Sequence, residues 1–362
     1  MTQPGSFVVA LTAAEDNDAV GGKGASLGFL ARAGVAIPAG FVVTSSAFTA
    51  SLDALDPGGS LRAEVESLDA GDLPAIARVT AAVRERVTAA PLPAPVASAI
   101  TDGYAALGGS DQGGDNADGD DPDVAVRSSA TMEDSAAASF AGLQDTYLGV
   151  AGAGSVLHNV RRCWASLYNE ESVAYRRRLR MSETGHAMAV VVQRMVRPRA
   201  AGVMFTRSPV TGDRSVVAIE GTWGLGSALV SGDVTPDSFT VSKITGEITS
   251  RRVSPKGRLH SFLPNGGGVT VTDTPAAQRE AACLTDDEIR ALADVGRSVE
   301  AHYGTPQDIE WALLEGDAPA ASRIVLLQSR PETVWAARTA APVAAPKARP
   351  ADHVLSLFGK PQ

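Results

Sequence analysis

Toward the end of a 362-residue chain, the runs Asp308-Ile309-Glu310-Trp311-Ala312-Leu313-Leu314 and Ile324-Val325-Leu326-Leu327-Gln328-Ser329-Arg330 set acids, an amide and a guanidinium among apolar residues. The alternation predicts two antiparallel strands joined by a loop containing Gly, Asp and Pro. If Asp308 lies opposite Arg330 and Glu310 opposite Gln328, the period of two puts all four side chains on one face. Carboxylate and amide oxygens suit Mg²⁺ or Mn²⁺, which keeps water and phosphate in its other positions, so Glu310 and Gln328 read as metal ligands. Arg330 reads as a phosphate ligand beside Asp308. The alternative is a hairpin of surface ion pairs, which contribute little to stability.

Three other segments are read for phosphate or nucleotide. Gly21-Gly22-Lys23-Gly24 puts Lys23 at a helix start, where a cation is unfavourable unless an anion arrives. A solvated lysine at a glycine-rich helix entry is the competing reading. Arg127 follows the strand Val124-Ala125-Val126 and leads into Ser128 to Gly142, a stretch of small residues. Its planar fork matches phosphate, and main-chain N–H groups with hydroxyls such as that of Thr131 form a lid. An ordinary loop with a structural ion pair is the alternative. Gln193, Met195 and Val196, at the end of an apolar strand, are read as the wall and main-chain contacts of an adenine, against a plain core strand.

Strands are predicted at 41–44, 124–126, 188–192, 202–206 and 216–219, and helices at 23–33, 76–87, 96–107, 156–179 and 286–302. With no fixed-period repeat, this mixture implies an α+β or α/β architecture of two or three compact units. Arg176-Arg177-Arg178-Leu179-Arg180 reads as the solvated C-terminus of the 156–179 helix. The acidic, glycine-rich segment 108–121 reads as a solvated loop, and the Ala/Pro-rich stretch from 339 as a linker with a frayed end.

Composition narrows the function. Hydrophobic residues make up 44% and charged residues 20%, ordinary globular usage. A net charge of −9 argues against a nucleic-acid surface, which needs a concentrated basic field. No signal-like leader and no run near the ~20 apolar residues of a membrane span is present, so a cytoplasmic location without membrane contact is expected. The two cysteines, Cys163 and Cys283, lack metal-binding spacing and read as buried small hydrophobes.

In order along the chain stand GGKGASLGFLARAGVAIPAGFVVT, VAVRSSATMEDSAAASFAG, CWASLYNEESVAYR, GVMFTRSPVTGD, WGLGSALVSGDVTPDSF and DIEWALL followed by LLQSRPET. Together they resemble the N-terminal nucleotide-binding region of phosphoenolpyruvate synthase, pyruvate phosphate dikinase and rifampin phosphotransferase. The resemblance implies an ATP-grasp type α+β fold with ATP between two lobes. It implies an N-terminal lobe over 1–195, a C-terminal lobe over 196–338 and a tail over 339–362. By the same resemblance Lys23, Arg127, Asp308 and Arg330 serve the phosphates, Glu310 and Gln328 the metal, and Glu220 with Gly221 and Thr222 lines the cleft. Ser227 stands where the family often has Glu.

The TxxxHA-like segment of the family's phosphohistidine domain is not recognisable. His158, His186, His260, His302 and His353 read as ordinary histidines. The expected role is therefore the ATP-binding subunit of a split dikinase-type system. It phosphorylates a histidine on a separate carrier that also serves an acceptor-binding subunit, with AMP and phosphate as products. Direct phosphorylation of a small molecule and a non-catalytic nucleotide sensor are the rivals.

Overall fold

Valine-rich segments build the first of two sheets. The computed structural model describes residues 6–108, 121–130, 134–135, 138–139, 145–263 and 267–335. Its early strands are β1 (Val8–Ala10), β2 (Gly40–Val43), β3 (Val124–Ala130), the two-residue pair β4 (Asp134–Ser135) and β5 (Ala138–Ser139), β6 (Thr146–Val150) and β7 (Met188–Arg194). Five of them form an antiparallel sheet in the order β1-β2-β7-β3-β6. Central β7 explains the unbroken apolar run. Val190 and Val192 pack with the helices Ser45–Leu55, Leu73–Ala89, Ala94–Gly108 and Ala153–Ser166, while Ala189 and Val191 pack with Val20 and Leu27 of the Asn17–Arg32 helix.

The later strands are β8 (Pro198–Phe205), β9 (Val216–Trp223), β10 (Asp237–Ser242), β11 (Ile248–Arg252), β12 (Arg258–Phe262), β13 (Val269–Asp273), β14 (Gln307–Leu314) and β15 (Ile324–Pro331). Six make an antiparallel sheet ordered β11-β10-β9-β8-β14-β15, and β12 pairs with β13 apart from it. One face carries Met204, Val217, Ile219, Phe239, Ile309, Trp311, Leu313 and Leu326, covered by Ile289, Leu292 and Val299 of the Asp286–Tyr303 helix. That helix starts on a capping box between Thr285 and Glu288 and ends at Gly304, whose φ of 68° suits a residue without Cβ. Leu30 and the half-buried Val35 and Ile37 join this second core, so the first helix packs on both sheets. Among the described residues no helix is long and apolar enough to cross a membrane.

Glu288 does more than cap. Its carboxylate also accepts from Arg199 Nη2 at 2.7 Å and Arg323 Nη2 at 2.9 Å, tying the helix start to β8 and to the chain entering β15. Burial pushes its pKa up, but the Thr285 N–H and the two guanidinium groups pull it further down, below the ordinary 4.5. A lowered folded pKa gives stability present above the unfolded value and lost as pH falls through the folded one. Glu288→Gln should therefore lower stability at pH 7 by about 2 kcal/mol. Urea melts of the two proteins should converge as the medium is acidified below pH 4.5.

Two expectations fail between 153 and 183. The single helix over 156–179 is two, Ala153–Ser166 and Glu170–Arg178, because Ser166 Oγ folds back on the Cys163 carbonyl and three successive i→i−3 bonds tighten the chain. Asn169-Glu170-Glu171 then restarts a helix with acids at its positive end. The basic terminus is solvated only in part: Arg178 and Arg180 are exposed, but Arg176 and Arg177 are 1% and 8% exposed, and both donate to buried Glu183. A carboxylate outside the helix drew them inward. Cys163 and Cys283 are buried as expected, and burial pushes both thiols up.

Candidate functional site

The predicted pairing of β14 with β15 holds for the residues that matter: Asp308 opposes Arg330 and Glu310 opposes Gln328. One step further the register slips, because Trp311 opposes Leu326 and Leu327 has no partner. Strict alternation would turn Leu326 and Gln328 to the same face. The bulge at Leu327 lets Leu326 enter the core while Gln328 and Arg330 join Asp308 and Glu310 on the other face.

Arg127 reaches this face from β3 of the other sheet. Its Nη2 donates to Glu310 Oε2 at 2.7 Å and to Gln328 Oε1 at 2.6 Å, and its Nη1 donates to the carbonyl of the bulged Leu327 at 2.9 Å. The side chain is 12% exposed, and its buried Nε has no hydrogen-bond partner among the described residues. Beside it, Arg330 Nε donates to Asp308 Oδ2 at 2.8 Å. Burial pushes the Asp308 carboxyl up, against the pull of Arg330, with Glu310 and Glu332 adding to the rise. Glu220 lies in the same row, since Glu310 opposes Val203 and Val203 opposes Glu220, so it is about 10 Å away across two strand spacings. Burial raises its pKa as well.

Lys23 is set by a break in its helix. Gly21, at φ 68°, interrupts Asn17–Arg32, and the Gly24 N–H donates to Ser129 Oγ at 3.2 Å while that hydroxyl donates to the Val20 carbonyl at 2.9 Å. Half-buried Lys23 thus sits next to β3, and its charge is felt by Cys163, whose thiol lies 3.7 Å from the Val126 carbonyl. One turn on, Ser26 Oγ donates to the Ser329 carbonyl at 2.6 Å and stands 3.0 Å from Tyr303 Oη. This bond aligns Lys23 with the strand bearing Gln328 and Arg330. Ser26→Ala should cost about 1 kcal/mol of stability. It should also weaken the nucleotide binding that the sequence resemblance implies several-fold by calorimetry, whereas Tyr303→Phe, which spares the Ser329 bond, should do less; equal losses would put the alignment elsewhere.

The other predicted residues fall as follows. Gln193 is buried in β7, with Nε2 donating to the Pro38 carbonyl at 3.3 Å. Met195 follows, its N–H donating to the Asp123 carbonyl and its sulfur accepting from the Gly149 N–H, and half-buried Val196 comes next. Thr131 and most of its lid segment, the acidic stretch 109–120 and the tail from 336 lie outside the described residues. Sequence reasoning missed the Leu327 carbonyl and the bridge of Ser26 to Ser329 and Tyr303, and it put Ser128 and Ser129 in the lid, whereas both are buried in β3, where Ser129 ties the helix entry to the strand. It also missed a relay in which Ser227 Oγ lies 3.0 Å from His260 Nδ1 and His260 Nε2 3.0 Å from Asp233 Oδ2. That relay pins the turn after β9 to β12. The unusual Ser227 was its only local signal. A cavity of about 690 Å³ near Arg84, His158 and Arg161 shares no lining residue with the Arg127 cluster.

Residues 17–350 match the family described as pyruvate phosphate dikinase, AMP/ATP-binding domain. The chain belongs to that family. It is 41% identical over 319 residues to a probable phosphoenolpyruvate synthase of Methanothermobacter thermautotrophicus, covering 88% of this chain and 44% of that protein. A rifampicin phosphotransferase of a Streptomyces species is 44% identical over 316 residues, covering 87% and 34%. The phosphoenolpyruvate synthase of Aeropyrum pernix is 37% identical over 340 residues, covering 87% and 41%. The chain thus spans less than half the length of these relatives. Within the pyruvate phosphate dikinase family, the segments matched on this chain include the strands carrying Arg127, Glu310 and Gln328.

Proposed function

We propose that this chain binds ATP with Mg²⁺ or Mn²⁺ in an ATP-grasp cleft between its two sheets and passes phosphate to a histidine of a separate carrier protein. ATP, water and the histidine become AMP, orthophosphate and phosphohistidine, the β-phosphate being the one transferred. The carrier also serves an acceptor-binding subunit. The convergence of Arg127 Nη2, Glu310 Oε2 and Gln328 Oε1 supports this reading most strongly. Two oxygens already aimed at one cationic atom fit a small divalent ion, and one carboxylate and one amide leave its other positions to water and phosphate.

In this reading Glu310 and Gln328 hold the metal, which neutralises charge on the phosphates when bound. Arg127 and Arg330 orient phosphate oxygens with their guanidinium forks, and Asp308 holds Arg330 in place. Lys23 meets the phosphates from the helix entry, and Thr131 and the small residues after it close over them. The edge at Gln193, Met195 and Val196 takes the adenine, and Glu220 closes the far side of the cleft. Catalysis rests on positioning and charge, since phosphoryl transfer asks little covalent chemistry of the protein. The test is incubation with β-labelled ATP and a protein carrying a TxxxHA-type histidine. Label on that histidine with AMP formation supports the reading. Label retained in ADP beside an unlabelled phosphorylated metabolite would mean direct transfer, and binding without turnover would mean a sensor.

A further inference from the structure

Arg127 does two things that exclude one another. Its Nη2 lies within hydrogen-bond distance of both oxygens proposed for the metal, 2.7 Å from Glu310 Oε2 and 2.6 Å from Gln328 Oε1. A divalent ion coordinated by the same two oxygens would approach them at about 2.0–2.1 Å, which leaves no room for a guanidinium nitrogen between them. The two cations also repel each other in a site where Arg127 is 12% exposed. We infer that Arg127 competes with the metal for Glu310 and Gln328, so that the site takes a divalent cation together with nucleotide phosphate and discriminates against the free ion. The inference rests on the nucleotide reading above.

The surroundings of Arg127 supply the reason it yields to phosphate. Its buried Nε has no partner among the described residues, so the guanidinium is incompletely satisfied where it lies. A phosphate group offers Nε and one Nη two acceptor oxygens in bidentate geometry. Turning toward it exchanges the contacts with Glu310 and Gln328 for stronger ones and frees both oxygens for the ion that accompanies the phosphate. The carbonyl of Leu327, at the bulge, holds Nη1 and limits how far the guanidinium drifts when no phosphate is near. Arg127 is also a hydrogen-bonded link between β3 and the β14–β15 pair, so its release loosens one tie between the sheets as the ligand enters. Free metal makes no such exchange, because it brings no acceptor for the displaced guanidinium.

The test measures Mn²⁺ binding to the full chain without nucleotide, by electron paramagnetic resonance of the free ion. Arg127→Met and Arg127→Gln remove the competing cation, and each should bind Mn²⁺ at least about 10-fold more tightly than the wild type, the factor equivalent to one charge-assisted hydrogen bond to a carboxylate. Arg127→Lys, which keeps a cation there, should stay close to the wild type. Adding Glu310→Gln to Arg127→Met should abolish the gain. Either neutral variant that keeps the wild-type melting curve suffices. Equal Mn²⁺ affinity in that variant and the wild type would overturn the inference. Calorimetry with a non-hydrolysable ATP analogue checks the nucleotide reading separately: no binding by the wild type would remove that reading, while the Mn²⁺ comparison still decides the competition.

Discussion

Glu310→Gln is expected to reduce metal-dependent AMP formation by about 10²–10³-fold, the usual cost of removing one electrostatic stabiliser from a phosphate- or oxyanion-binding site. Glutamine keeps the shape and an oxygen for Arg127 Nη2, now 2.7 Å from Glu310 Oε2, but it drops the negative charge that a divalent cation needs. The fold should be little affected, because the side chain is about one-third exposed and lies opposite the Trp311 core face. Assays with the proposed carrier protein across a Mg²⁺ series, beside melting curves, separate the two effects. A variant with wild-type turnover would take Glu310 out of the site, whatever its stability. Partial recovery at high Mn²⁺ would fit a weakened metal ligand and would not fit a general loss of structure.

Gly21→Ala is expected to be the most damaging small substitution near the helix entry. A Cβ at Gly21 would lie 2.1 Å from the Ser129 carbonyl oxygen and 2.3 Å from Ser129 Oγ, and the residue holds φ at +68°. The left-handed conformation alone costs a non-glycine residue about 1–2 kcal/mol, before the collision with β3 is counted. Relief requires the helix entry to move away from Ser129, carrying Lys23 with it. We expect a loss of at least about 3 kcal/mol of stability, in the range of severe core changes, together with at least a tenfold fall in nucleotide affinity, equivalent to about 1.4 kcal/mol. Gly34→Ala is the control. Gly34 has φ +75° but nothing within 4 Å of its Cβ position, so that variant should show the strain alone and bind nucleotide normally. Chemical denaturation and calorimetry on the pair distinguish strain from displacement; equal nucleotide affinity in Gly21→Ala and the wild type would separate Lys23 from the site.

Much of this was legible because it is periodic. The alternation in 308–314 and 324–330 set the pairing of Asp308 with Arg330 and Glu310 with Gln328, since only that pairing turns the polar side chains together. Valine runs at 188–192 marked a strand, which the fold buries on both faces. What stayed hidden depended on partners distant in sequence. Arg127 meets Glu310 and Gln328 across about 180 to 200 residues. Arg176 and Arg177 looked solvated because a helix end with four arginines nearby is usually so, and only the fold brings Glu183 beside them. Ser26 gave no sign that its hydroxyl would hold Ser329.

By itself, then, the sequence determined the α+β class, the strands bearing the candidate site, the polar groups proposed for it and, through ordered motifs, the family. These follow from local geometry and residue chemistry, which travel with the chain. The tertiary structure decided that a bulge at Leu327 sends Leu326 to the core and Gln328 to the site, and that Arg127 of one sheet occupies the proposed metal pair of the other. The reason is physical. A bulge is a compromise between a buried apolar face and an outward polar one, and a guanidinium lying between two sheets answers to charges that no stretch of local sequence contains.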